Sequence, residues 1–188
     1  MKTNAQFQGK HPEYADSREM FFFNLDKDTR RLMIEEIELD LETGRIFYSA
    51  RLNAKGLADF TSLLLKAAAH FDSRWLCREL SLGRLRRWEE RDDGPRRVPR
   101  DAHNVLGEGE FNRYYMRAVC RRALHLNKPY VMVYRAGAAE KPRRESEERI
   151  GEIARPATLL AILRTFHKTE PLFGFPPRPN SGLSIRLA

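Results

Sequence analysis

Cysteine is scarce in this chain of 188 residues, in which Cys77 and Cys120 are the only two. They lie on separate predicted helices, and no Cys-x-x-Cys pair occurs. This spacing excludes a disulfide framework and a cysteine-based zinc site. A reducing environment suits such a chain, so we expect a cytoplasmic protein.

Long apolar runs are absent as well. No stretch approaches the ~20 residues that a membrane-spanning helix needs. The polar start, MKTNAQFQGKHPEYADSRE, has no apolar segment of a secretory signal, so we expect no membrane partner. Residues 1–17 show no periodicity and predict a flexible arm, with one domain over residues 18–188.

Motifs that carry catalysis or hold a cofactor are also missing. The five histidines are scattered without zinc-ligand spacing, and no serine stands in a Gly-x-Ser-x-Gly context. The stretch GEGEFN lacks the Gly-Lys-Ser/Thr of a phosphate-binding loop. We therefore expect no metal and no cofactor, and the sequence leaves open whether the protein is an enzyme.

Positive charge is what the chain has in excess. Its 34 Lys and Arg stand against 26 Asp and Glu, a formal charge of +8, which favours a polyanionic partner such as nucleic acid. Arginines crowd the stretch 74–100 around Trp88, a mixture typical of nucleic-acid surfaces. A general use of arginine in place of lysine explains the same pattern equally well. The candidate binding residues in this stretch are Arg84, Arg86, Arg87, Arg96 and Arg97.

The pattern near the N-terminus predicts β-structure. Apolar residues alternate with acids over residues 36–41, which is the period of a half-buried strand. Together with MFFFNL before it and RIFYSARL after it, this strand predicts an antiparallel meander. Its acidic side chains Glu36, Glu38 and Asp40 are placed on the outer face.

The rest of the chain predicts helices and a C-terminal strand. Amphipathic helices are expected over residues 56–71 and 108–126, packed on the meander. Residues 89–104 read as an arginine-rich internal loop. A strand at 130–135, a helix starting at Pro156 and an extended tail ending in an edge strand follow. The fold class is therefore α+β.

The helix over residues 108–126 carries the second group of candidate binding residues. Its apolar residues between Met116 and Leu124 form a core stripe, and a cationic row lies on another face because its members are four apart. The candidates in and beside this row are Arg113, Tyr114, Arg117, Arg121 and His125. Either the row is a solvated face paired with nearby acids, or it binds phosphates and carboxylates.

These features favour a small, basic, non-enzymatic binding or scaffold protein that contacts a polyanion, nucleic acid first, through arginines. This function requires the two arginine groups to converge in one positive surface. One alternative is an oligomeric subunit of a protein assembly, of the bacterial or phage accessory kind. The second alternative is an enzyme acting on a phosphorylated or acidic substrate through Glu110, Arg113, Tyr114 and Arg117.

Overall fold

The computed structural model describes residues 20–137, 144–165 and 182–188, so the predicted arm over residues 1–17 lies outside the described residues. It is a mixed structure of helices and small antiparallel sheets. The elements in chain order are α1 (Lys27–Glu42), α2 (Ala54–His70), α3 (Ser73–Ser81), β1 (Trp88–Glu89), β2 (Arg96–Arg97), α4 (Ala102–His125), β3 (Val131–Arg135), α5 (Arg144–Glu148), β4 (Ile153–Ala154), α6 (Pro156–Thr165) and β5 (Leu183–Leu187). Among the described helices, none is long and apolar enough to cross a membrane.

The first element is a helix, α1, where the sequence predicted a meander, so the meander is wrong. Asp26 caps α1, because its Oδ1 accepts a hydrogen bond from the Thr29 backbone amide at 3.1 Å. The inward-facing residues recur every three or four positions and include Glu36 and Asp40, both fully buried. In the sequence, acidic and apolar residues alternate over residues 36–41, and the strand was predicted on the assumption that the acids face solvent. Because Glu36 and Asp40 face the core, this alternation does not mark a strand.

Helix α2 lies where the apolar period predicted a helix. Asn53 caps it by accepting a hydrogen bond from the Gly56 amide at 2.8 Å. The Asn53 side-chain amide also donates to the carbonyl oxygens of Gly83, at 2.8 Å, and Leu85, at 3.3 Å. One residue thus starts α2 and joins it to the chain that follows α3.

Helix α4 is the centre of the molecule and contacts α1, α2, α3, α6 and the sheet strands β3 and β5. Residues 111–120 are all buried, so the middle of this helix has no solvated face. It begins at Ala102, so the predicted start at 108 is wrong and the end of the predicted loop 89–104 is helical. Gly107 lies inside the helix because α3 crosses there: an added Cβ would come within 2.6 Å of the Cys77 Sγ.

Three strands form a sheet in the order β4–β3–β5, all antiparallel. The predicted strand at 130–135 and the predicted C-terminal edge strand are confirmed, although their sheet contains no meander strand. Two asparagines hold the outer edge of β5. The Asn112 Nδ2 donates to the Leu183 carbonyl at 2.9 Å, and the Leu187 amide donates to the Asn24 Oδ1 at 2.9 Å.

Candidate functional site

Arg117, one of the predicted binding residues, is the centre of a buried ion network between α1 and α4. Its Nε donates to the Glu36 Oε2 at 2.8 Å, and its two terminal nitrogens donate to the two Asp40 oxygens at 2.5 and 3.0 Å. All three side chains are fully buried. Because two carboxylates engage all three nitrogens of this buried guanidinium, Arg117 is not accessible to a ligand.

Glu36 receives further arginines from other parts of the fold. Arg164 of α6 donates to both of its oxygens, with Nε 3.0 Å from Oε2. The Arg121 NH1 lies 3.4 Å from Oε1, and the Arg121 NH2 also pairs with the Glu35 Oε2 at 2.7 Å. The carboxylate of Glu36 therefore connects α1, α4 and α6.

The second alternative placed a catalytic group at Glu110, Arg113 and Tyr114, and the structure buries all three. The Arg113 NH2 pairs with the Glu110 Oε2 at 2.6 Å and donates to the Tyr114 hydroxyl at 3.0 Å. That hydroxyl donates to the Asp40 Oδ2 at 2.9 Å. The Arg113 guanidinium also lies over the Tyr114 ring, 4.6 Å from its centroid. These groups extend the Arg117 network and are buried with it.

The pKa values of the network follow from burial and from the arginines. Burial by itself raises the pKa of Glu36, but hydrogen bonds and charge from Arg164 and Arg117 outweigh it, so the pKa is lowered. The pKa of Asp40 is lowered in the same way, chiefly by Arg117. Burial wins at Glu110, whose pKa is raised despite Arg113. Glu36 and Asp40 thus stay ionised at neutral pH and neutralise the arginines beside them.

The predicted cationic row is therefore not an exposed surface, and this part of the sequence interpretation is wrong. Arg113 is 5% exposed and Arg117 is not exposed at all. Arg121 is 23% exposed and forms ion pairs with two glutamates, Glu35 and Glu36. His125 is exposed but ends α4. Because a helix rises 1.5 Å per residue, this end lies on the order of 35 Å from Ala102, where the arginines of the other group approach α4.

The arginines of the stretch 84–100 lie on and around a two-stranded hairpin, where the sequence predicted a loop. Trp88 pairs with Arg97 and Glu89 with Arg96 in the antiparallel ladder of β1 and β2. Glu89 anchors the hairpin to the body, because the Arg51 Nε donates to its Oε2 at 2.6 Å. Hydrogen bonds from arginines lower the pKa of Glu89 to about 2.

Some of the predicted arginines here are held by their own acids or carbonyl groups. Arg84 pairs with Asp59 at 2.8 Å and is 12% exposed, so it supports the fold. Arg96 pairs with Asp93. The Arg86 Nε donates to a backbone carbonyl at 3.0 Å, which leaves its other nitrogens toward solvent.

Three other arginines of this hairpin region are exposed and form no ion pair with any described residue. They are Arg87, Arg97 and Arg100. Arg97 shares one side of the ribbon with Trp88, since directly paired residues project together. Trp88 is 59% exposed, although a tryptophan is ordinarily well buried. We call Arg86, Arg87, Trp88, Arg97 and Arg100 the hairpin base.

Sequence reasoning selected three of these five residues and missed Trp88 and Arg100 as site members. Trp88 stood out as an aromatic among arginines, and that was the available signal for it. The sequence patterns also did not identify Glu36, Asp40 and Arg164 as partners of the α4 arginines. Within the described residues, no group of three or more His, Cys, Asp or Glu side chains could hold a metal ion.

The chain matches no protein-family model, no curated protein and no solved structure. Function is therefore inferred from geometry and charge.

Proposed function

We propose that the protein is a small, basic, non-enzymatic binding protein that contacts nucleic acid through the hairpin base. The observation that carries this proposal is the pairing of exposed Trp88 with Arg97, next to arginines that have no acid of their own among the described residues. Arginine forks bind phosphates, and an exposed indole offers a face on which a base stacks. The phosphate-binding arginines and the indole for base stacking lie together on one short β-ribbon.

The acids of the hairpin support a specific placement of the strand. Glu90 and Asp92 belong to the turn beyond β1 and are exposed. A phosphate backbone is repelled there, so it crosses the base of the hairpin and avoids the tip. Single-stranded nucleic acid suits this arrangement best, because its bases are available for stacking on Trp88.

An enzyme built on the buried α4 residues is not proposed. Glu110, the most exposed of its four groups, is 9% exposed. Each of the four groups has a hydrogen-bond partner in the network, although the Arg113 Nε and NH1 are buried without one. A substrate would have to open the contact between α1 and α4 to reach them.

The test is fluorescence anisotropy with a labelled oligothymidylate at increasing salt. Four arginines at the hairpin base predict a slope of about −3 in log affinity against log salt, because each phosphate contact on a single strand contributes about −0.7. Replacing Trp88 with Ala should weaken binding by about 1–3 kcal/mol for one stacked base. In a Trp75→Phe background, binding should also quench the remaining fluorescence of Trp88.

A charge-matched pair of variants separates a site from general attraction to a basic protein. Arg97→Gln and Arg144→Gln each remove one positive charge, and Arg144 is 91% exposed on α5. We expect the Arg97 change alone to weaken binding beyond the small loss that one unit of net charge produces. Equal effects of the two changes, or an affinity that does not depend on salt, would contradict the proposal.

A further inference from the structure

A second exposed surface lies on the outer face of the β4–β3–β5 sheet and is independent of the hairpin. Met132 of β3 is directly opposite Ile153 of β4 and Arg186 of β5. Opposed residues project to the same face of a sheet, so these three side chains form a row across it. The neighbouring residues of β3, Val131 and Val133, project to the other face and are buried in the core.

Phe23, from the segment before α1, extends this row. Its ring meets the ring of Tyr134 edge-on, with centroids 4.9 Å apart, and the Arg186 guanidinium lies 5.3 Å from the Phe23 centroid. Phe23 is 50% exposed and Ile153 is 55% exposed. The result is an apolar strip of Ile153, Met132 and Phe23, interrupted by one guanidinium. We call these residues, with Arg186, the sheet strip.

Arg186 has no anionic partner among the described residues. Its Nε is buried without any hydrogen-bond partner, and its NH2 donates only to the Met132 thioether, at 3.5 Å. A thioether is a weak acceptor. On the neighbouring strand, by contrast, Arg135 pairs with Glu147. The guanidinium of Arg186 therefore has donor capacity that nothing described in the fold takes up.

Charge decides what fits this strip. A second copy of the chain bound through the same strip would offer Arg186 no carboxylate, because the strip contains none, and the net charge of +8 on each copy adds repulsion. A carboxylate is the group whose geometry matches the guanidinium fork. Exposed apolar side chains beside it mark a protein contact, because they lose unfavourable contact with water when they are covered.

We propose that the sheet strip binds an acidic amphipathic segment of another protein. A carboxylate of that segment pairs with Arg186, and its apolar side chains pack on Ile153, Met132 and Phe23. This site is separate from the hairpin base, and it stands whether or not the hairpin binds nucleic acid.

The test uses two labelled amphipathic peptides of the same pattern, one of Leu, Glu and Gln, the other with Lys in place of every Glu. Anisotropy should show at least roughly tenfold tighter binding of the acidic peptide, because a hydrogen bond to a charged group contributes about 1.5–3 kcal/mol. Arg186→Gln and Ile153→Ser should each remove most of this binding. Arg186→Lys should retain part of it, since the charge remains but the fork is lost.

Matched controls come from α3 and the residue that follows it. Leu82→Ser changes an apolar residue that is 56% exposed, and Arg78→Gln removes a side chain that is 66% exposed; neither belongs to the sheet strip. Both controls should bind the acidic peptide like the unchanged protein. Circular dichroism and the urea midpoint show that each variant is folded, so that a loss of binding reports the surface.

Each remaining outcome would overturn the proposal. Equal binding of the two peptides removes the role of Arg186, and equal losses in the sheet and control variants remove the role of the strip. Displacement of the acidic peptide by oligothymidylate from the Trp88→Ala variant would assign the strip to nucleic acid. Displacement from the unchanged protein that disappears with Trp88→Ala would show that the peptide binds at or against the hairpin base, which contradicts a separate site.

Discussion

Replacing Arg117 with Met should be among the most damaging single changes in this protein. The side chain is fully buried and donates three hydrogen bonds to Glu36 and Asp40. Removing one partner of a buried ion pair costs about 3–5 kcal/mol, because a charge is left without compensation. For a chain of this size, about 2–4 °C is lost per kcal/mol, so the melting temperature should fall by roughly 6–20 °C.

The two acids should not suffer equally when Arg117 is lost. Glu36 keeps Arg164 and Arg121. Among the described residues, Asp40 keeps the Tyr114 hydroxyl, the Arg45 guanidinium at 3.9 Å and the nearby charge of Arg113, none of which replaces the two hydrogen bonds from Arg117. The uncompensated charge is therefore that of Asp40. Adding Asp40→Asn to the Arg117→Met variant should recover about 1–3 kcal/mol, the range of coupling between contacting residues. Adding Glu36→Gln should recover nothing, because it removes the anion of Arg164.

Urea unfolding followed by tryptophan fluorescence measures these differences, with an unchanged slope as evidence that the unfolding transition is the same. Arg31→Met is the matched control, since Arg31 is 59% exposed and pairs with Glu35 within α1. It should cost no more than about 0.5 kcal/mol. The reasoning fails if Arg117→Met is as mild as this control, or if Glu36→Gln rescues as well as Asp40→Asn.

Three further predictions concern the crossing of α3 with α4 and the acids. Gly107→Ala should destabilise the fold by about 1–3 kcal/mol, because its Cβ would collide with α3. Gly109→Ala has open space and should stabilise the helix by about 0.5–1 kcal/mol, so opposite shifts of the urea midpoint are expected. The pKa values of Glu36 and Asp40 are lower in the folded state than in the unfolded state, so the ionised carboxylates stabilise the fold at pH values above the unfolded-state pKa values. This stability is lost as pH falls through the folded-state pKa values. The urea concentration at the midpoint should therefore decrease when the pH is lowered below about 4. Burial raises the pKa of Glu108 from 4.5 to about 7, so the folded state is destabilised as pH rises through this range and the carboxyl ionises. Glu108→Gln should therefore have little effect near pH 4, stabilise the protein increasingly as pH rises, and reach its full effect above about pH 7.

Sequence patterns sufficed where apolar residues alone face the core. The stripe of α2, the start of α6 at Pro156 and the alternation in β5 all reflect apolar side chains that face inward. In α2 and α6 the buried residues recur with the helical period of the hydrophobic residues, which is the assumption behind such patterns. In β5 the alternation identifies the buried Leu183 and Ile185, although Ser184 between them is buried as well.

The same assumption fails at α1, where two of the inward-facing residues are acids. Spacing could have shown this, because Glu36 and Asp40 are four apart, as are Arg113, Arg117 and Arg121. Two helices with complementary charges at the same spacing can face each other. A carboxylate that is paired in this way can then occupy an inward-facing helical position, as a leucine does. Composition alone does not reveal this, since an acid is ordinarily a solvent residue.

The location of unpaired charge is therefore more informative about function here than net charge. A formal charge of +8 does not identify a binding surface, because arginines such as Arg117 and Arg84 are neutralised by acids within the fold. What distinguishes the hairpin base and the sheet strip is an arginine beside an exposed apolar side chain with no described acid in reach, as at Arg97 and Arg186. Many of the described arginines form ion pairs within the fold, so an exposed arginine without such a pair keeps donors for another molecule.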